Sequence, residues 1–324
     1  MGKIFVTGGA GFIGSHFSNM MSKEGYEVFV YDNFSQYIKP PVGLIYLHNI
    51  NYRYKNLLNK TTIIKGSTLN KDFMRRALKE LDPEYIVHFG ALPLANMAIE
   101  NTEEAFDTLL GGTVNLLEIV RDSKTLKKFI YISSSMVYGN FINDPIDEED
   151  LKEPIEIYGG MKLSGEYIVK VYSKRYGIPY TIIRPSAVYG EADNNNRVVE
   201  KFLNQAINNE KINTENGDTS FLDFTYVKDL VQGIKLVLLS KESQNECFNL
   251  TRGRKRKISD LVNIIKIIFP NLVCEDKIID NFRPNRGTLS IKKAEKLLGY
   301  NPKFDLEDGV PVCANYLKEF YHNT

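Results

Sequence analysis

Apolar and polar positions alternate along this chain with two different periods. Short apolar runs rich in β-branched and aromatic residues predict buried strands at residues 3–7, 27–31, 62–65, 85–89, 128–133, 180–184 and 247–250. Segments with helical periodicity separate them, notably residues 103–121 and 162–176. Strands that alternate with helices in this way predict an α/β fold built on a doubly wound parallel (Rossmann) sheet.

A glycine-rich turn joins the first predicted strand to the first helical segment. Gly8, Gly11 and Gly14 recur at three-residue spacing, and Asp32 ends the next strand. Glycines let the backbone approach a pyrophosphate, while the helix N-terminus presents free N–H groups to the anion. A carboxylate at position 32 accepts hydrogen bonds from ribose hydroxyls and repels a 2′-phosphate. We therefore expect NAD rather than NADP as cofactor, although Asp32-Asn33 is also a common turn pair.

A second group of chemically useful residues lies between positions 132 and 162. Three serines centred on Ser134 follow a predicted strand, and Tyr158 precedes Lys162 by four residues at the start of a helical segment. Side chains four residues apart share one face of a helix. Because a nearby ammonium stabilises a phenolate, Lys162 is expected to lower the pKa of Tyr158 from about 10. Ser134 is then expected to hold a substrate hydroxyl while Tyr158 removes its proton.

These landmarks resemble the extended short-chain dehydrogenase/reductases of the nucleotide-sugar epimerase and dehydratase group. The resemblance covers nearly all 324 residues and rests on the motifs T-G-G-A-G-F-I-G (7–14), D-N (32–33), V-H-F-G-A (87–91), S-S-S-M-V-Y-G (133–139), Y-G-G-M-K (158–162), R-P-S-A-V-Y-G (184–190), F-L-D-F-T-Y-V-K-D (221–229) and L-G-Y-N-P (298–302). It implies that Ser134, Tyr158 and Lys162 are catalytic. It also implies NAD contacts at Gly8, Gly11, Phe12, Ile13, Asp32, Asn33, Ser67, Thr68, Phe89, Gly90, Ala91, Tyr158, Lys162 and Pro185.

Two positions beside Ser134 depart from the family pattern. Ser135 and Met136 stand where the family's dehydratases carry an aspartate and a glutamate. Elimination of water needs a proton donor and a base, and neither a hydroxyl nor a thioether supplies them. Hydride transfer alone is therefore expected.

The resemblance also implies a set of substrate contacts, and the chain departs from the family pattern at two further positions in this region. The expected contacts are Ser134, Ser135, Met136, Tyr158, Ala187, Arg252, Arg283 and Arg286. Ala187 replaces the usual asparagine, and Leu222 replaces the arginine that holds the nucleotide diphosphate in the family. Because guanidinium groups bind phosphate oxygens bidentately, Arg252, Arg283 and Arg286 are the candidates to replace it.

Three other features have ordinary structural interpretations. His88 ends a buried strand and is expected to be a hydrogen-bonded core residue. The basic run 254–257 is expected to be a solvated loop rather than a nucleic-acid surface. Residues 36–60 form a long connection rich in Tyr and Asn. A surface insertion is the favoured interpretation of this connection, and a cover over the adenosine or a subunit contact are the alternatives.

The helical pattern loosens after residue 184, which predicts a smaller C-terminal portion. Residues 1–184 and 226–251 are expected to form the NAD-binding Rossmann domain, and residues 185–225 and 252–324 the nucleotide-sugar-binding domain. Members of the family commonly pair through the helices that correspond to residues 103–121 and 162–176. The resemblance therefore implies a homo-oligomer, either a dimer or a tetramer.

Composition excludes several other classes of protein. Forty-one basic and forty acidic side chains give a net charge of +1, so no global field attracts nucleic acid or a membrane surface. No apolar run is long enough to span a bilayer and the N-terminus lacks a signal-peptide layout, so a cytoplasmic location is expected. Cys247, Cys274 and Cys313 are few and far apart, which predicts reduced thiols and no metal site.

Three functions remain open at this level. The favoured one is NAD-dependent oxidation of the 4-hydroxyl of a nucleotide-diphosphate sugar to a 4-keto sugar. The resemblance to capsule-pathway enzymes implies GDP-linked manno-heptose as the sugar and surface polysaccharide biosynthesis as the pathway. It is favoured because an epimerase must turn the sugar over while holding the nucleotide, and the usual anchors are missing at Ala187 and Leu222. The side chain of Met136, which is expected to face the sugar, is also bulky and leaves less room for the ring to turn over. The alternatives are an NAD-dependent 4-epimerase and a non-catalytic NAD-binding regulatory protein.

Overall fold

Seven parallel strands form the central sheet of the computed structural model, which describes residues 2–35, 44–90, 92, 95–278 and 284–322. The strands are β1 Lys3–Thr7, β2 Glu27–Asp32, β3 Thr62–Lys65, β4 Tyr85–His88, β5 Lys128–Ile132, β6 Tyr180–Arg184 and β7 Glu246–Asn249. Their order is β3-β2-β1-β4-β5-β6-β7, and every neighbouring pair is parallel. This topology confirms the predicted doubly wound sheet.

Helices cover both faces of the sheet. The helices in this part of the molecule are Phe12–Lys23, Lys71–Leu81, Ala95–Glu100, Thr102–Phe106, Gly112–Val120, Ile157–Tyr176, Val227–Leu239 and Lys292–Leu298. A π-helical turn at Asp107–Gly111 joins two of them, so the helix predicted over 103–121 is present as consecutive segments. The helix predicted over 162–176 begins already at Ile157, which brings Tyr158 into its first turn.

Both faces of the sheet are buried except at the edge strand β3, which explains why the inner strands read as nearly continuous apolar runs. One face packs against the helices Phe12–Lys23 and Val227–Leu239 through a core that includes Phe17 and Val231. The other face packs against side chains such as Leu117 from the remaining helices. The sheet is therefore held rigidly, and the residues at its carboxyl edge are held with it.

A second core belongs mainly to the chain that follows β6. It is built from the helices Val198–Ile207, Ile258–Ile268 and Leu306–His322. Three short strand pairs accompany them, namely Val188–Tyr189 with Thr225–Tyr226, Phe221–Asp223 with Lys255–Lys257, and Ile212–Glu215 with Cys274–Lys277. None of the described helices combines the length and the apolar character needed to cross a membrane.

The sequence analysis favoured a plain surface insertion for the long connection after β2. The described part of this connection is instead packed against the rest of the molecule. Its described part forms the helix Leu44–Tyr52 and a π-helical turn at Arg53–Leu57. The Tyr316 hydroxyl donates a hydrogen bond to Asn49 Oδ1 at 2.7 Å, which fixes this segment to the last helix of the chain. The sequence could not reveal this packing because the two partners are 267 residues apart.

The basic run 254–257 is also not a solvated loop. Lys255–Lys257 pairs as an antiparallel strand with Phe221–Asp223, and the side chain of Arg256 is only 12% exposed. Arg256 donates hydrogen bonds to Asp305 at 2.9 Å and to Glu307 at 2.7 and 2.8 Å. Acidic residues some fifty positions downstream therefore pair with Arg254 and Arg256, and local composition does not show them.

Candidate active site

A cavity of about 560 Å³ opens at the carboxyl edge of the central sheet, where parallel α/β sheets usually bind ligands. The predicted site residues that line it are Gly8, Gly11, Phe12, Ile13, Asp32, Asn33, Ser67, Thr68, Phe89, Gly90, Ser134, Ser135, Met136, Tyr158, Lys162, Pro185, Ala187 and Arg286. Ala91 and Arg283 lie outside the described residues. Arg252 does not line the cavity.

The glycine turn at one end of the cavity tolerates no side chain at Gly8 or Gly14. Gly8 has a φ of +67°, and a β carbon there would lie 2.7 Å from the backbone nitrogen of Gly90. A β carbon on Gly14 would lie 2.3 Å from the carbonyl oxygen of Gly8. The helix Phe12–Lys23 begins immediately after Gly11, so its free N–H groups face the cavity. The cradle therefore fits the pyrophosphate of a dinucleotide.

Asp32 is held rigidly beside this cradle. Its carboxylate oxygens accept hydrogen bonds from the backbone N–H of Ala10 at 2.9 Å and of Phe34 at 2.8 Å. Burial raises the pKa of Asp32, and these two hydrogen bonds and the nearby guanidinium of Arg53 act against that rise. Arg53 itself donates to the Ala10 carbonyl oxygen at 3.0 Å. The turn interpretation of Asp32-Asn33 is thus also correct, and the same turn aims the carboxylate at the cavity.

Ser134, Tyr158 and Lys162 meet at the other end of the cavity. Ser134 follows β5, and its Oγ accepts a hydrogen bond from the backbone N–H of Met136 at 3.2 Å. Lys162 lies one helical turn after Tyr158, with its Nζ 5.8 Å from the centroid of the Tyr158 ring. The Lys162 ammonium donates to the carbonyl oxygen of Ile132 at 2.8 Å. That bond fixes the helix Ile157–Tyr176 to the strand end that carries Ser134.

The pKa of Tyr158 differs from the sequence-based expectation. Burial raises the pKa of Tyr158 to about 12, and the positive charge of Arg197 is the influence that lowers it. Burial also lowers the pKa of Lys162 to about 7, against the attraction of Glu166. Desolvation therefore outweighs the nearby positive charge. The prediction that the pKa of Tyr158 lies below its ordinary value is wrong.

A buried ion pair between Glu166 and Arg184 connects the elements that carry these residues. Glu166 accepts hydrogen bonds from Arg184 Nε at 2.9 Å and Nη2 at 2.6 Å, and both side chains are 1% exposed. The Ser133 hydroxyl donates to the same carboxylate at 2.6 Å. The sequence analysis missed Glu166, although its spacing of four residues from Lys162 placed it on the same helix face. The pair joins β5, β6 and the helix Ile157–Tyr176.

His88 has the structural role that was predicted for it. Its Nδ1 lies 2.6 Å from the hydroxyl of Thr7, and its Nε2 lies 3.0 Å from the hydroxyl of Thr113. Burial lowers the pKa of His88 to about 3, so the imidazole is neutral at physiological pH. His88 is therefore a hydrogen-bonded residue of the core, as expected.

The arginine side chains that line the cavity differ in part from those that were predicted. Arg286 lines it, but Arg252 instead lies 3.8 Å from Asp305 in an ion pair outside it. Arg53 and Arg197 line the cavity and were not predicted. Neither belongs to a recognisable motif, so no local signal could have identified them.

Known proteins share both the sequence and the fold of this chain. The family described as "NAD dependent epimerase/dehydratase family" matches residues 4–251. The putative UDP-glucose 4-epimerase of Methanocaldococcus jannaschii is 31% identical, over 97% of this chain and 98% of its own length. Among solved structures, the UDP-glucuronic acid 4-epimerase of Bacillus cereus in complex with UDP-glucuronic acid and NAD is 29% identical, with a TM-score of 0.88 over 98% of this chain and 100% of that chain. The UDP-glucose 4-epimerase of Thermotoga maritima with UDP-glucose is 28% identical, with a TM-score of 0.87 over 98% and 99%.

Proposed function

This chain belongs to the NAD dependent epimerase/dehydratase family, and we propose that it is an NAD-dependent nucleotide-sugar 4-epimerase. The observation that carries the proposal is that one cavity holds the glycine cradle at one end and Ser134, Tyr158 and Lys162 at the other. This arrangement supports reversible hydride transfer at a sugar hydroxyl. Ser135 and Met136 bring no carboxylate to the cavity wall, which favours hydride transfer without elimination.

The relatives support this epimerase alternative better than the 4-dehydrogenase that the sequence favoured. The three relatives reported above are epimerases of UDP-linked sugars by name, and none of these three names contains a GDP-linked heptose. The dehydrogenase interpretation assumed that the nucleotide lacks anchors. The guanidinium groups of Arg53 and Arg197 line the cavity and are candidate anchors. GDP-linked heptose, surface polysaccharide biosynthesis and a cytoplasmic location stay predictions.

Each side chain has a separate task in the proposed reaction. NAD, when bound, supplies the acceptor and donor of the hydride at the sugar C4. Tyr158 takes the proton of the C4 hydroxyl and returns it after the sugar has turned over. The Ser134 hydroxyl holds the same oxygen, and Lys162 in its cationic form favours the phenolate of Tyr158. No co-substrate is consumed because the hydride and the proton both return to the sugar.

A turnover assay with purified protein and added NAD tests the proposal. UDP-glucose and UDP-glucuronate are incubated separately, the products are identified by NMR, and NADH is followed by absorbance. We expect the 4-epimer without net NADH, and we expect Tyr158→Phe to lower turnover by about 10²–10⁴-fold with an unchanged circular dichroism spectrum. Net NADH with a ketone that borodeuteride traps would instead identify a dehydrogenase. NAD binding without chemistry on any nucleotide sugar would identify the regulatory protein.

We also propose the division of labour and the assembly implied by the resemblance. In this proposal residues 1–184 and 226–251 bind NAD, and residues 185–225 and 252–324 bind the nucleotide sugar. Tyr167 and Val171 on the helix Ile157–Tyr176 are 59% and 63% exposed, and Phe106 is 55% exposed. These apolar side chains support a homo-oligomer, either a dimer or a tetramer, that covers this face.

A further inference from the structure

Arg286 is fixed beside the point where the sugar C4 hydroxyl must bind. Its Nη2 donates hydrogen bonds to Ser135 Oγ and, at 3.0 Å, to Ser186 Oγ. Its Nη1 lies 3.1 Å from the thioether sulfur of Met136. Ser135 and Met136 directly follow Ser134, the proposed ligand of the C4 oxygen. The guanidinium therefore contacts the residues that directly follow the proposed ligand of the C4 oxygen.

The charge of Arg286 has no carboxylate partner within ion-pair distance among the described residues. Its three acceptors are two hydroxyls and a thioether, all of them neutral. Burial lowers the pKa of Arg286 to about 10, and the more distant carboxyls of Glu156 and Asp223 act in the opposite direction. Arg286 is partly buried, and removing a cation from water is costly unless an anion is brought to it. This position therefore favours a ligand that carries negative charge.

The geometry of a pyranose ring decides which anion of a nucleotide sugar reaches Arg286. When C4 is held between Ser134 and Tyr158, the diphosphate on C1 lies on the opposite side of the ring. C3 and C5 are both adjacent to C4, and of these two only C5 of a hexose carries an exocyclic carbon that can be a carboxylate. Arg53 and Arg197 also line the cavity, so Arg286 is not the only guanidinium among its described lining residues.

We infer that Arg286, together with Ser135 and Ser186, forms a binding site for a carboxylate on the sugar C5, so that the substrate class is a nucleoside-diphosphate hexuronate. The inference rests on the proposed function for the placement of C4. A guanidinium donates to both oxygens of a carboxylate in parallel, and the two hydroxyls can rotate to donate as well. A neutral hexose leaves the partly buried guanidinium without an anion, and polar groups left unpaired in this way are a strong basis of discrimination between substrates.

Two substrates that differ only at C5 test the inference. For the wild type we expect kcat/KM to be at least about tenfold higher with UDP-glucuronate than with UDP-glucose. Arg286→Gln should lower kcat/KM for UDP-glucuronate by about 10–100-fold and for UDP-glucose by less than about threefold. Arg254→Gln removes an exposed guanidinium outside the cavity lining and should change neither value. Arg286→Lys keeps the charge and should retain part of the preference.

Calorimetric binding of the same two compounds to the same proteins separates this inference from the proposed function. Stronger binding of UDP-glucuronate that depends on Arg286, without turnover, supports the site and rejects the epimerase. Epimerisation of UDP-glucose with no preference for the uronate keeps the epimerase and overturns the inference. Equal losses for both substrates in Arg286→Gln also overturn it, because the diphosphate is then the ligand of Arg286. Wild-type protein that binds neither compound overturns both.

Discussion

Replacing Lys162 by methionine should stabilise the cofactor-free protein, although it should remove most of the turnover. Lys162 is 4% exposed, and burial lowers its pKa from 10.5 to about 7. At about 1.4 kcal/mol for each pH unit between these two values, the protonated side chain costs the folded state about 5 kcal/mol. Methionine fills the same space without a charge. It leaves the Ile132 carbonyl without its donor, which costs about 1–3 kcal/mol.

The direction of the pH dependence follows from the order of the two pKa values. Because the pKa of Lys162 is lower in the folded than in the unfolded state, the unfolded chain binds the extra proton between about pH 7 and pH 10.5. The free energy of unfolding of the wild type therefore rises through this window by about 1.4 kcal/mol per pH unit, relative to the variant. We expect Lys162→Met to be more stable by about 2–4 kcal/mol near pH 6 and to lose most of that advantage near pH 9.

Urea unfolding of the cofactor-free protein, followed by circular dichroism at about pH 6 and about pH 9, measures this difference. Lys170→Met removes an exposed lysine from the same helix and is the matched control. Its stability relative to the wild type should be the same at both pH values. A difference between Lys162→Met and the wild type that does not change with pH would refute the reasoning. A variant that is less stable than the wild type near pH 6 would refute it as well.

Three further predictions concern Asp32, the buried ion pair of Glu166 with Arg184, and the exposed face of the helix Ile157–Tyr176. Asp32→Asn should reduce the preference for NAD over NADP by about tenfold or more, because the carboxylate no longer repels a 2′-phosphate. Calorimetric titration measures it, and a wild type that binds both cofactors equally contradicts the assignment. Glu166→Gln should lower the free energy of unfolding by about 3–5 kcal/mol, because Arg184 then stays buried without its anion. A loss below about 1 kcal/mol in urea unfolding would show that the pair tolerates a neutral partner. Tyr167→Glu with Val171→Glu should dissociate the proposed oligomer in sedimentation equilibrium, whereas a wild-type monomer at micromolar concentration contradicts the proposal.

Features that depend on neighbouring residues were predictable from the sequence. The apolar runs predicted the strands of the sheet to within one residue at each end, because strands buried on both faces admit few polar side chains. The glycine spacing predicted the cradle because Gly8 and Gly14 lie where a β carbon would clash. Tyr158 and Lys162 were predicted to lie together because four residues make about one helical turn.

Features that depend on contacts between distant segments were not predictable. Arg53 reaches the cavity only because the helix before it packs against the last helix of the chain. Arg252 and Arg256 pair with acids about fifty residues downstream, and no local pattern shows where those acids lie. The pKa of Tyr158 could not be predicted for a related reason. The direction in which this pKa shifts depends on how much water the whole fold removes from the hydroxyl, and that quantity is a property of the tertiary structure.

The segment Leu44–Leu57 contacts two opposite walls of the cavity, and this has a thermodynamic consequence. Arg53 donates to Ala10 in the glycine turn, while Asn49 donates to the Asp193 carbonyl at 2.9 Å and to Asn194 Oδ1 at 2.8 Å. A ligand that orders this segment from one wall reduces the entropy that a second ligand must remove at the other. Such coupling is reciprocal by necessity. If the proposed function is correct, we therefore expect the affinity measured for the cofactor or the nucleotide sugar to depend on whether the other is already bound.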